Sequence, residues 1–137
     1  MPIRISAIQH VGIPVTNLPR SIAFYESLGF SEAMRSTFDH ADGEGQVCMM
    51  KSGDVVMELY QFPEPVLAEI RARAHGHIDH IAFDVADVDA VFEELKTGNF
   101  EIQEEAPVFL PFWKNGCRYF NILGPDGERL EFNQIIR

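Results

Sequence analysis

Positive charge is scarce in this chain: 11 Lys and Arg stand against 21 Asp and Glu, a formal net charge of −10. Nucleic-acid phosphates would be repelled, which excludes them as partners, and an anionic substrate would need a locally positive site. Cysteine is nearly absent. Cys48 and Cys117 stand alone with no CxxC spacing, so no disulfide framework or thiolate zinc site is expected, and both read as buried free thiols. No stretch approaches the roughly 18 apolar residues of a membrane span. The opening Met1-Pro2-Ile3-Arg4-Ile5-Ser6 also lacks the apolar core of a secretory signal. The expectation is a cytoplasmic protein with no membrane partner, and without low-complexity tracts the whole chain should be ordered.

What the chain does hold is apolar matter and a repeat. Hydrophobic residues make up 46% of its 137 residues, with 11 Phe among them, which is enough to bury a core in one domain or in two intimately packed halves. Ile8-Gln9-His10-Val11-Gly12-Ile13-Pro14-Val15 aligns with Ile78-Asp79-His80-Ile81-Ala82-Phe83-Asp84-Val85, seventy residues later. At the same spacing Asn17 meets Asp87, Leu18 meets Val88 and Phe30 meets Phe100. Gly53-Asp54-Val55-Val56-Met57-Glu58-Leu59-Tyr60-Gln61 aligns with Asp126-Gly127-Glu128-Arg129-Leu130-Glu131-Phe132-Asn133-Gln134 at a spacing of 73. A repeat on this scale is one supersecondary unit used twice.

Each copy reads as βαβββ. The first helix is predicted over 18–28, with Leu18, Ile22 and Tyr25 on one face, Asn17 as cap, Pro19 tolerated in the first turn and Gly29 as stop. The second is predicted over 88–96, with Val88, Val91, Phe92 and Leu95 at helical spacing between Asp87 and Gly98. Further strands are expected near 31–38, 46–51, 100–106 and 115–123, and Gly124-Pro125-Asp126-Gly127 signals a turn. One domain over 1–137 is expected, with module one at about 5–62, a linker over 63–76 carrying a short helix at 66–73, and module two at about 77–137.

Side chains alternate across a strand, so residue parity shows which of them share a face. Val11, Ile13 and Val15 are apolar and should face the helix, which puts His10 on the other side. Ile81, Phe83 and Val85 do the same for His80. Val55, Met57 and Leu59 leave Glu58 opposite, and Leu130 and Phe132 leave Glu131 opposite. A carboxylate in mid-strand is costly to bury unless it is paired or bound to metal. His10, Glu58, His80 and Glu131, repeated as two pairs, suit one divalent ion such as Zn²⁺, Ni²⁺, Co²⁺, Mn²⁺ or Fe²⁺. Taken one at a time, each residue reads more readily as a hydrogen-bonded core histidine or an ordinary exposed strand glutamate; it is the repeated quartet that points to metal.

Other features carry less. His40, His75 and His77 read as solvated. Ala41-Asp42-Gly43-Glu44-Gly45 lacks the Lys-Ser/Thr and following helix of a phosphate loop. Pro107-Val108-Phe109-Leu110-Pro111-Phe112-Trp113-Lys114 is apolar but broken by prolines, hence a loop, serving either as a lid or as a packed or dimer-burying connection. Arg35, Lys114, Arg118 and Arg129 are the cations placed to attract an anion.

The motifs around His10, Glu58, His80 and Glu131, together with Ser21-Ile22-Ala23-Phe24-Tyr25-Glu26-Ser27-Leu28-Gly29-Phe30, resemble the vicinal oxygen chelate superfamily, the glyoxalase I and bleomycin-resistance fold. The resemblance covers essentially the full length. It implies an α+β fold of two tandem βαβββ modules whose curved mixed sheets form a metal-holding cleft. The His, Glu, His, Glu order looks most like the lactoylglutathione lyase branch: Zn or Ni as the expected metal, with Co, Mn or Fe as alternatives. The implied reaction is isomerisation of a small-molecule substrate, with a thiol conjugate among the candidates, chelated through vicinal oxygens. An enediolate would form while Glu131, with Glu58 as its symmetry mate, moves the proton between adjacent carbons. The resemblance also implies a homodimer. Two other readings of the same fold stand beside it, a binder of a small antibiotic or aromatic molecule and a non-haem iron dioxygenase.

Overall fold

The computed structural model describes residues 2–27, 29–73, 79–123 and 129–137. The expected turn over 124–127 and the histidines His75 and His77 lie outside those residues. Two compact units emerge, residues 10–79 and residues 1–9 with 80–137. The class is α+β, two βαβββ modules in tandem.

Strand β1 (Ala7–Pro14), whose residues from His10 onward belong to the unit 10–79, leads into helix α1 (Leu18–Ser27), followed by β2 (Ser31–His40), β3 (Gly43–Ser52), β4 (Val55–Gln61) and a short helix α2 (Val66–Arg71). The strand order is β2-β3-β4-β1, antiparallel except for the parallel pair β1/β4. The start of α1 is held by two side chains: Asn17 Oδ1 accepts the Arg20 N–H (3.1 Å), and Gln61 Oε1, reaching over from β4, accepts the Leu18 N–H (2.9 Å). At the other end the Gly29 N–H reaches the Glu26 carbonyl and the Phe30 N–H the Tyr25 carbonyl, with Gly29 in the left-handed region (φ 100°). The helix buries Leu18 and Ile22 against Cys48, Met50 and Leu59.

The second unit repeats this plan. Its order is β5 (His80–Asp84), β9 (Arg129–Ile135), β8 (Cys117–Leu123), β6 (Glu101–Ile102), again with one parallel pair, β5/β9. Helix α3 (Val88–Lys96) starts on Asp87 Oδ1, which accepts the Ala90 N–H, and on Gln134 Oε1, which accepts the Val88 N–H (2.9 Å). Gln134 thus does from β9 what Gln61 does from β4. The helix packs Val88, Val91, Phe92 and Leu95 on Phe120, Ile122 and Phe132.

Two expectations need correction. The strand expected over 100–106 shrinks to Glu101–Ile102, and the segment expected as a loop carries a strand, β7 (Val108–Leu110), paired with β8. The prolines explain this without conflict: Pro107 and Pro111 flank β7 rather than interrupt it, and a flanking proline removes no ladder hydrogen bond. β6 and β7 run successively along one edge of β8 and do the work that β2 does on β3. No described helix is long and apolar enough to cross a membrane.

Candidate metal centre

In each unit, one histidine and one glutamate come together on the parallel strand pair. Gly12 is opposite Glu58 in the β1/β4 register, and Ala82 is opposite Glu131 in the β5/β9 register. Each histidine therefore sits two residues before its glutamate's partner, and hence on the same face. His10 and Glu58 have ligand atoms within 4.8 Å of each other. His80 Nε2 stands 3.6 Å from Glu131 Oε1. Alternate residues of the same strands, Ile13 and Leu59 in one unit and Phe83 and Phe132 in the other, pack with the helices.

His10 is 2% exposed and Glu131 8%, so these are interior groups, whereas Glu58 is half-buried. Burial drives the Glu131 carboxyl above its ordinary pKa, opposed by the His80 imidazole and by the Asn133 amide, which donates Nδ2–H to Oε2 at 2.8 Å. The two carboxylate oxygens thus have separate neighbours, Oε1 toward His80 and Oε2 toward Asn133.

The donor set passes the chemical test for a divalent ion. Imidazole nitrogens and mid-strand carboxylate oxygens suit a borderline metal, and a buried glutamate left without a counter-charge would be costly. A single imidazole and a single carboxylate are half of what a protein-held ion normally takes.

Around Glu131 lies a polar network absent from the expectations above. Asn121, across the ladder from Glu131, donates Nδ2–H to Glu104 Oε2 at 2.9 Å, and its backbone N–H goes to Glu104 Oε1. Asn133 also reaches Cys117 Sγ at 3.8 Å. Gln9 donates Nε2–H to Asp84 Oδ1 (2.9 Å) and to the Asn133 carbonyl (3.1 Å). Asn133 shares Glu131's parity and was open to discovery on that ground. Asn121, Glu104 and Gln9 join through cross-strand and long-range pairing that parity alone does not supply.

Two of the cations picked out as anion attractors, Arg35 and Arg118, are engaged elsewhere. Arg35 makes a two-pronged contact with Glu32 (2.8 Å for each prong), and Arg118 forms a two-pronged pair with Asp89 of α3, on the helix side of the sheet. Lys114 is exposed. His40 lies 3.4 Å from Asp42 in the β2–β3 turn. Cys48 and Cys117 are buried and form no disulfide, and burial raises the Cys48 thiol to about 11. In the proline-flanked segment the register sets Phe109 opposite Arg118, and its ring occupies the space a Cβ on Gly116 would need. Phe112 is buried, and Trp113 takes a left-handed backbone (φ 66°).

Comparison with known proteins bears on the same residues. A model of the glyoxalase/bleomycin resistance protein/dioxygenase superfamily matches residues 7–132. The chain is 31% identical over 127 residues to the uncharacterised protein YwbC of Bacillus subtilis (strain 168), covering 93% of this chain and 96% of that protein. It is 34% identical over 128 residues to the uncharacterised protein YaeR of Escherichia coli (strain K12), covering 90% and 92%. Among solved structures, methylmalonyl-CoA epimerase from Mycobacterium tuberculosis superposes with a TM-score of 0.77 at 20% identity, covering 100% of this chain and 93% of that one, a likeness of fold.

Proposed function

The chain belongs to the glyoxalase/bleomycin resistance protein/dioxygenase superfamily, and from that premise we propose that it is a metal-dependent lyase or isomerase of the glyoxalase I type. In this reading His10, Glu58, His80 and Glu131 hold one divalent ion, the four coming from one chain or from two copies. The observation that carries it is the pairing of one histidine with one glutamate in the same parallel register in each unit. A half-site of one nitrogen and one oxygen ligand is too small for a protein-bound ion, and two such half-sites supply the usual number.

When bound, the ion would polarise a substrate chelated through two neighbouring oxygens and make the adjacent C–H more acidic. The chain supplies the rest. Glu131 accepts the proton from one carbon and returns it to the next, with Asn133 holding Oε2 so that the carboxylate keeps one orientation through the transfer. Burial raises the Glu131 carboxyl above its ordinary pKa in the metal-free chain, and to act as base it would loosen from the ion as substrate binds. Glu58, half-buried, is the symmetry mate that completes the ligand set.

The test is metal content by elemental mass spectrometry on tag-free protein, followed by hemithioacetal isomerisation with Zn²⁺, Ni²⁺, Co²⁺, Mn²⁺ and Fe²⁺ in turn. Wild type is expected to hold one ion per chain and His80→Ala to lose most of it. A wild type that takes up none of these ions on reconstitution overturns the enzyme and leaves a small-molecule binder of the same fold.

A further inference from the structure

In the first unit the sheet ends on β2, and among the described residues nothing pairs with its outer edge. The second unit closes the equivalent edge. There β6 and β7 are strands of two and three residues, β7 lies between Pro107 and Pro111, and Glu104 between the two strands takes the Asn121 N–H. Short strands, prolines and inward charges keep a sheet edge from pairing. β2 has no proline, and its pairing with β3 is regular from Met34 to His40, the one irregularity lying between Glu32 and Met34. An open run of seven residues remains.

The turns fix which main-chain groups face outward. Ala41-Asp42 joins β2 to β3 with His40 opposite Gly43, and a two-residue turn closes on a hydrogen-bonded pair. Alternation commits the N–H and C=O groups of His40, Phe38 and Ser36 to β3 and turns those of Asp39, Thr37 and Arg35 outward. The next turn agrees. Ser52 opposite Val55 commits the even residues of β3 to β4 and leaves its odd residues Gly45 and Val47 for Phe38 and Ser36. Arg35, Thr37 and Asp39 also share one side-chain face, and all three are exposed.

We infer that β2 pairs with β2 of a second copy of this chain, antiparallel about a twofold axis at Thr37. In that register Arg35 of each copy stands opposite Asp39 of the other, Thr37 opposite Thr37, and about six main-chain hydrogen bonds close the seam. No other twofold register on this run does so. An axis at Arg35 sets guanidinium against guanidinium, and one at Asp39 sets carboxylate against carboxylate. At Ser36 or Phe38 neither Arg35 nor Asp39 meets a charge. Arg35 has donors to give: Glu32 takes its Nε hydrogen and one on Nη2, which leaves both on Nη1. A cleft of about 560 Å³ beside it, lined by Leu18, Arg35, Ser36, Thr37 and Gln46, gives the second copy's carboxylate room. β3 and β4 stand between this edge and β1, so the added strand brings no ligand to His10 and Glu58. The pairing is therefore independent of the metal centre.

The test is sedimentation velocity on the full chain without a tag, over concentrations up to about 1 mM. So short a seam buries less than the roughly 800 Å² per partner of a standard interface, and the dimer expected is weak and concentration-dependent. Arg35→Asp and Asp39→Arg each set like charges opposite one another at both places, and each is expected to weaken dimerisation at least about tenfold. Mixing the two variants, or joining both substitutions in one chain, puts opposite charges back at both places. Either is expected to restore dimerisation to within about threefold of wild type. Circular dichroism identifies a single variant that has lost its fold, and the other single variant and the doubly substituted chain then carry the comparison. A wild type that stays monomeric throughout overturns the inference. So do single variants that associate as wild type does, or a mixture and a doubly substituted chain that associate no better than the single variants.

Discussion

The two modules keep the same histidine and glutamate in the same register, yet surround the glutamates with opposite chemistry. Across the ladder from Glu131 stands Asn121, and across from Glu58 stands Met49. Two residues beyond Glu131 is Asn133, and two beyond Glu58 is Tyr60. One face is an amide and carboxylate network, and the other sets buried Val47, Met49 and Tyr60 in the equivalent places. A duplicated unit thus retains its histidine and glutamate while the flanks diverge, as the proposed metal centre expects if its two carboxylates take on unequal work. Glu131 has a donor on its second oxygen and a raised proton affinity; Glu58 is half-buried beside a thioether.

The largest expected effect breaks that symmetry at the glutamates. With metal loaded, Glu131→Gln is expected to slow exchange of the substrate's transferred hydrogen with deuterated solvent by about 100-fold to 10,000-fold, the range for loss of a general base. Glu58→Gln is expected to lose less turnover and mainly to weaken metal retention. Proton NMR of the exchange, with metal content measured on the same samples, separates the two. Equal losses of turnover at equal metal content would mean that the unequal flanks have no bearing on proton transfer.

A smaller effect contrasts the helix-packed cores. Phe120 and Cys48 occupy equivalent sites, each opposite a core residue of the next strand, Phe132 and Leu59 respectively. Phe120 stacks on Phe132 at 5.3 Å between centroids and meets Phe92 edge-on at 5.1 Å. Phe120→Ala is expected to cost about 3–5 kcal/mol in urea unfolding. Cys48→Ala removes one sulfur atom and is expected to cost no more than about 1.5 kcal/mol. Near-equal costs would show that the aromatic cluster is not what stabilises the second module.

Much of this was legible in the sequence, because a repeat doubles every signal. Helix starts at Leu18 and Val88 were announced by Asn17 and Asp87, and the faces of His10 and Glu131 by the alternation of Ile13, Phe83 and Phe132 with polar neighbours. What was not legible needed pairing partners. Gln61 and Gln134 read as ordinary strand polar residues until β4 and β9 bring them over the helix starts. Arg35 and Arg118 read as anion attractors until the fold sets them against Glu32 of the same strand and Asp89 of α3. The proline-flanked segment was read as a loop because residue type shows where prolines stand, not that β8 offers an edge for three residues between them.

The smallest effect concerns a feature that one module has and the other lacks. Arg118 ties β8 to α3 through Asp89, while at the equivalent places in the first module stand Gln46 and Pro19, which carry no charge. The Arg118 guanidinium, by its hydrogen bond first and its charge second, holds the Asp89 carboxyl below its usual 3.8. A depressed carboxylate stabilises the fold above the unfolded pKa and loses that contribution as pH falls through the folded one. Both groups are substantially exposed, at 33% and 58%, so solvent screening keeps the pair under about 1 kcal/mol. Arg118→Met is therefore expected to lower stability slightly at pH 7, with the deficit shrinking as pH falls below the ordinary carboxylate range and through the lowered folded pKa of Asp89. Urea unfolding of both proteins across that range checks it. A deficit that does not shrink at all as pH falls would mean that the guanidinium stem packing on α3, rather than its charge, is what the second module gained.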